Sequence, residues 1–138
     1  MTGTGPTGLF AVLHASSVLE SRLEARLSEV GLSLPKLAAL HHLTAAGESL
    51  PLGQLAERLA CVKSNVTQLV DRLEADGLVN RTSDPNDRRS RLAVITDAGR
   101  KAFARGSEIQ QAAEQELFAV LTKDESAQLL ALLAKIAE

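Results

Sequence analysis

The sequence predicts a mainly α-helical chain with one small β-hairpin, and three observations lead there. Apolar residues recur at helical spacing through most of the chain, two short helical stretches near its middle lie only three residues apart, and a proline-containing turn joins two strand-like runs just after them. The first short helix, over 52–59, carries Leu52, Leu55, Ala56 and Leu59 on one side. The second, from about 63 to 75, carries Val66, Leu69, Val70 and Leu73. Only Ala60, Cys61 and Val62 separate them, which is helix-turn-helix spacing. Gly77 suits the left-handed residue that closes the second helix. Strands are expected over 78–82 and 91–95. Between them, Asp84-Pro85-Asn86-Asp87 is a turn in which proline presets φ and Asp84 bonds back to the backbone. The loop then exposes Arg88, Arg89 and Arg91 at the hairpin tip. A helix-turn-helix followed by a basic hairpin is a winged helix-turn-helix.

The remaining elements surround this unit. Residues 9–30 read as a long helix with Val12, Leu19, Leu23, Leu27 and Val30 on one side, ended by Gly31. Ser33 caps the next helix, with Pro35 in its first turn. That helix runs to about Ala46 and is apolar on nearly every side, which places it at the centre of the fold, with Gly47 closing it. Leu50 and Pro51 are expected to add a short third strand against the wing. Thr96 caps a long helix over 97–121, and Thr122-Lys123-Asp124-Glu125 is a capping box opening a last helix. On that helix Leu129, Leu130, Leu132, Leu133 and Ile136 make a wide apolar face. The first and last helices carry more apolar surface than a small winged helix can cover by itself.

Composition bounds the function. At 138 residues with 45% hydrophobic residues, one domain with its own core is the simplest expectation. A formal charge of −2 excludes a general nucleic-acid coat protein, yet Arg81, Arg88, Arg89 and Arg91 concentrate positive charge in the hairpin. The single cysteine excludes an intramolecular disulfide and fits a reducing compartment. The polar arm over 1–8 and the short apolar run after it make neither a signal peptide nor a membrane span, so the expected location is the cytoplasm. With no Trp or Tyr, and with Phe10, Phe103 and Phe118 all outside the basic segment, the chain lacks the aromatic platform on which single strands stack. Duplex DNA is the better target.

On the polar face of the second short helix, Lys63, Ser64, Asn65, Thr67 and Gln68 are of a size to reach base edges, and Arg72 one turn later suits phosphate. In the wing, Arg88, Arg89 and Arg91 suit a minor groove or phosphate. The plainer reading of both sets is a solvated charged face; their occurrence in register favours DNA. No Ser/His/Asp or Cys/His set and no glycine-rich phosphate loop appears, so an enzyme is not expected, nor any cofactor. Adjacent His41 and His42 diverge around a helix and do not chelate a metal together.

Leu55-Ala56-Glu57-Arg58-Leu59, the stretch Val66 through Glu74, Gly77-Leu78-Val79, Asp84-Pro85-Asn86-Asp87-Arg88-Arg89 and Ile95-Thr96-Asp97-Ala98-Gly99 together resemble the multiple antibiotic resistance regulator (MarR) family. The match is sharp over about residues 50–101, and the order of elements fits along the whole chain. The resemblance implies a homodimer built by helices within 1–47 and 97–138, a DNA-binding lobe over 48–96, and pairing of Asp87 with Arg89 to orient the guanidinium. It also implies a small-molecule effector pocket between the dimer helices and the winged helix, for which His14 and His41 are candidates. The tryptophan used by urate-type relatives is missing. Two departures stand out: Ala60 replaces a frequent turn glycine, and Val62 stands where a capping Ser or Thr is usual. Cys61 falls at a position that is an apolar plug in the family pattern, whereas oxidant-sensing relatives carry their thiol in the first helix.

The expected protein is therefore a dimeric regulator that binds a pseudo-palindromic duplex operator, a repressor rather than an activator, released by a small molecule. Its rivals are a winged helix used only for protein contacts and a redox-sensing regulator acting through Cys61. The first rival predicts an apolar or acidic face on the second helix, where this one is polar and lies beside arginines.

Overall fold

The computed structural model describes residues 6–59 and 65–138. In chain order these form α1 (Pro6–Ser28), α2 (Leu34–Ala45), β1 (Ser49–Pro51), α3 (Leu52–Arg58), α4 (Val66–Ala75), β2 (Val79–Asp84), β3 (Asp87–Ile95), α5 (Asp97–Ala119) and α6 (Lys123–Ile136). The three strands form one antiparallel sheet in the order β1-β3-β2. The expected third strand is present, with Leu50 opposite Ala93.

Local chemistry accounts for most boundaries. Ser33 accepts the Lys36 N–H at 3.3 Å to open α2, and Thr96 accepts the Gly99 N–H at 3.0 Å to open α5. Both halves of the Thr122/Glu125 capping box are formed at the start of α6. Gly31, Gly47 and Gly77 all take positive φ where α1, α2 and α4 end.

The core forms around α2, whose Leu37, Ala39, Leu40 and Leu43 are buried. Leu27 of α1, Leu55 of α3, Leu69, Val70 and Leu73 of α4, Val79 of β2, Ala93 and Ile95 of β3 and Ala102 of α5 close over it. The helix that is apolar on nearly every side is thus the central one. Polar ties fix its first turn: Glu24 of α1 accepts the Leu34 N–H, and Lys36 pairs with Asp76, the C-cap of α4, at 2.9 Å. The end of α4 is thereby attached to the helix that occupies the core.

Two expectations change. The hairpin strands reach further towards the tip than 82 and 91: β2 runs to Asp84 and β3 begins at Asp87, so Arg88 and Arg89 lie on the same strand as Arg91 rather than in a loop. The turn itself is only Asp84 to Asp87, with Asp84 Oδ1 accepting the Asn86 N–H at 2.9 Å. Regular pairing runs from Val79 opposite Ile95 to Ser83 opposite Arg91; a register shift then leaves Arg88, Arg89 and Ser90 without an opposite residue before Asp84 meets Asp87. Helix α4 begins at Val66 rather than near 63. Its cap is Asn65, whose Oδ1 accepts the N–H groups of Thr67 at 3.0 Å and Gln68 at 3.2 Å. The cap that Val62 could not supply is provided three residues later.

Candidate nucleic-acid interface

Helix α4 has three faces, set by the helical period. Val66, Leu69, Val70 and Leu73 turn towards the core. Asn65, Gln68 and Arg72 recur one and two turns apart on an exposed face. Thr67, Asp71 and Glu74 form the third face, towards β2, where Arg81 meets all three.

The exposed face and the wing both carry free cations. Among the described residues, Arg72, Arg88, Arg89 and Arg91 take part in no ion pair, and all four are exposed. An unpaired exposed guanidinium is available to phosphate or a narrow groove without first breaking a protein contact.

The sequence-predicted residues do not all play the expected part. Asn65 spends its side-chain oxygen on the helix cap and keeps only its amide nitrogen for a base edge. Asp87 holds Arg89 through the backbone: its Oδ1 accepts the Arg89 N–H at 3.0 Å, and the described ion pairs do not include these two residues. The carboxylate therefore shapes the turn instead of aiming the guanidinium. Arg81 is not one of a group of four free arginines, since it is engaged with the carboxylates of α4. Sequence reasoning missed that clamp. The available signal was two acids, Asp71 and Glu74, on the polar side of a helix otherwise suited to DNA. Lys63, Ser64 and Cys61, with the turn residues Ala60 and Val62, lie outside the described residues.

Leu23 of α1, Leu34, Leu37, Ala38 and His41 of α2 and Gln110 of α5 line a cavity of about 220 Å³. The His41 ring lies 6.0 Å from that of Phe103. His14 lies on the exposed part of α1 and lines none of the described cavities. Among the described residues no group of three or more His, Cys, Asp or Glu could hold a metal ion, and no helix is long and apolar enough to cross a membrane.

His42 is half-buried on α2. Its pKa is lowered from the ordinary 6.5, first by burial and then by His41 and Arg58. The unfolded chain therefore takes up a proton at this ring more readily than the folded chain. Its contribution to stability is complete above the ordinary value and is lost as pH falls through the lowered one. Replacing His42 with Asn should flatten that part of the stability profile. Urea midpoints between about pH 7.5 and about pH 5 check this; identical slopes for the two chains would clear His42 of the effect.

A helix-turn-helix followed by a hairpin, with unpaired arginines beside an exposed polar helix face, defines a winged-helix regulator. The model of the MarR family matches residues 32–90. The uncharacterised HTH-type transcriptional regulator YkoM of Bacillus subtilis is 36% identical over 107 residues, 78% of this chain and 69% of that protein. A second regulator from that organism, YfiV, is 35% identical, but the chain spans only 46% of its length. Among solved structures, a cysteine-to-serine variant of Escherichia coli MarR complexed with operator DNA superposes with a TM-score of 0.82 at 26% identity, covering 96% of this chain and 95% of that one. The transcriptional repressor CouR bound to a 23-mer DNA duplex gives a TM-score of 0.84 at 27% identity, covering 99% and 100%. The chain belongs to the MarR family of transcriptional regulators.

Proposed function

We propose that the chain is a homodimeric repressor that binds a pseudo-palindromic duplex operator and is released by a small-molecule effector. The observation that carries the DNA reading is the set of exposed, unpaired arginines on two successive elements, Arg72 on the same face of α4 as Gln68 and Arg88, Arg89 and Arg91 on the wing. Helix α4 enters the major groove, where Gln68 faces base edges, and the wing reaches the flanking minor groove with Arg89. Residues 48–96 form the DNA-binding lobe, while helices within 1–47 and 97–138 join the two copies. The solved relatives on DNA support this placement. The similar fold of CouR, a transcriptional repressor, supports the repressor sign. The effector occupies the cavity between α1, α2 and α5. It acts by changing the spacing between the two heads, because a rigid pair fits one half-site separation. Relatives that are regulators and not enzymes, and the lack of any catalytic set in the sequence, both speak for a binding function alone.

Selection of bound sequences from random duplex DNA, repeated across salt concentrations, tests the reading. A palindrome with a steep salt dependence is expected; a failure to enrich any sequence would favour a winged helix that contacts only protein.

The same duplex separates base reading from phosphate gripping. Gln68→Ala should relax preference at one base position per half-site by about 1–3 kcal/mol. Arg89→Ala should weaken binding to all sequences, and each lost phosphate neutralisation should reduce the salt slope by about 1. Flanks must be varied separately, because a narrow A·T-rich groove makes part of the Arg89 contribution sequence-dependent. Wild-type affinity and slope in Arg89→Ala would show that the wing does not touch DNA.

A further inference from the structure

Arg81 differs from every other arginine of the hairpin. It lies on β2, only 20% of its side chain is exposed, and it faces α4 instead of solvent. One guanidinium nitrogen, Nη2, donates both to the Asp71 carboxylate and to the Thr67 carbonyl, the latter at 3.1 Å. The other, Nη1, lies 3.7 Å from Glu74 Oε1. Its backbone N–H donates to the second oxygen of Glu74 at 3.2 Å. Among the described residues the buried Nε has no partner. The side chain is thus held at three points along two turns of the helix that meets DNA, while its backbone belongs to the strand that starts the wing.

We propose that Arg81 is a positioning residue for DNA binding: it locks the wing to the recognition helix, so that Arg89 reaches its groove only while Arg81 holds Asp71 and Glu74. This assignment rests on the DNA-binding reading above. Two physical arguments support it. A planar fork hydrogen-bonded to the Asp71 carboxylate and the Thr67 carbonyl, with Glu74 holding the backbone N–H of the same residue and lying 3.7 Å from Nη1, fixes direction as well as distance, which a lysine or a surface ion pair does not. The same contacts also neutralise two acids on the helix that must approach phosphates, where uncompensated negative charge opposes binding. Beyond the short β1 the wing is only two-stranded and has little stability of its own, so its angle is set by the attachments at its base, of which Arg81 is one.

The test is a double-mutant cycle on the duplex selected by the wild-type chain, with thermal melts verifying that each variant is folded. Arg89→Ala should weaken binding about tenfold in the wild-type background, the loss expected of one charge-assisted contact. In an Arg81→Ala background the further loss should shrink below about twofold, because the wing is already misplaced. The paired variant Asp71→Ala with Glu74→Ala gives an opposite sign to the competing explanation. If Arg81 were simply another phosphate contact, removing the two acids would free it, strengthen binding and steepen the salt dependence. The positioning role predicts weaker binding and the same loss of sensitivity to Arg89→Ala. A fall in stability alone would leave the Arg89 contribution at its wild-type size. Should Arg81→Ala not fold, the Asp71/Glu74 variant carries the cycle. Additive losses on a duplex that the wild type binds, or stronger binding by the acid-free helix, would overturn the role of Arg81 and leave the DNA reading standing. A wild-type chain that selects no duplex would remove both.

Discussion

Removal of residues 122–138 should leave a chain that is a monomer or aggregates, and that binds a two-half-site duplex about 10²–10⁴-fold more weakly, because the second head is no longer tethered to the first. The argument starts from α6. It has no buried residue, and Leu130, Leu132, Leu133 and Ile136 are 44–71% exposed. A lone helix of 14 residues is marginal in water even with a good cap. Burying one such leucine or isoleucine contributes about 1.5–3 kcal/mol, so a partner surface for this face would outweigh the helix's own propensity. The other end of the chain offers one: Leu9, Phe10, Val12 and Leu13 of α1 are 47–64% exposed. A two-fold assembly that joins both ends covers both faces with a single operation. Light scattering on the truncated chain decides the matter, and a soluble dimer would show that α6 lies outside the interface.

Gly99→Ala should destabilise the chain by about 3 kcal/mol or more, towards the upper end of what overpacking costs. A Cβ at Gly99 would abut the backbone carbonyl oxygen of Leu78 and lie 2.7 Å from Cγ1 of Ile95. That carbonyl has no room to withdraw, since it already accepts the Thr96 N–H at 3.0 Å. Thr96 in turn donates its hydroxyl to the Gly77 carbonyl at 2.7 Å and accepts the Gly99 N–H, so the end of α4, the end of β3 and the start of α5 meet in one knot. Gly106→Ala is the control. Its Cβ would meet Cδ1 of Leu37 at 2.6 Å and of Leu32 at 2.9 Å, the ends of side chains that can turn aside. Alanine also favours a helix over glycine by about 1 kcal/mol, which offsets part of the crowding. Denaturant unfolding of both variants measures the difference, and equal losses would mean that the Leu78 carbonyl moves more freely than its hydrogen bond suggests.

Exposure of α1 and α6, the close approach at Gly99 and the clamp at Arg81 differ in how legible they were. The apolar faces of the end helices could be read directly, because helical period and composition are properties of neighbouring residues. For the same reason Ser33, Thr96, the Thr122/Glu125 box and the glycines after α1, α2 and α4 marked helix ends correctly: a cap acts within one turn of itself. The Asp84 turn was legible too. Thr96-Asp97-Ala98-Gly99 could be recognised as a pattern, but its reason could not be read, since the atom that excludes a side chain at Gly99 belongs to Leu78 on a different element.

Where a residue had two uses, the tertiary structure chose between them. Asn65 could have served a base edge or a helix start, and the position of the first turn made it the cap. Asp87 could have held the guanidinium of Arg89 or its amide, and the tight hairpin brought the amide within reach. Arg81 looked like the other wing arginines because charge and spacing are all that a sequence displays. Its different role follows from direction: β2 lies along the side of α4, and that packing places Asp71 and Glu74 around its guanidinium. Local periodicity and caps were enough for the sequence by itself to determine the elements and their order. Which side chains were free to meet another molecule depended on contacts between residues many positions apart, and only the folded chain brings those within hydrogen-bonding distance.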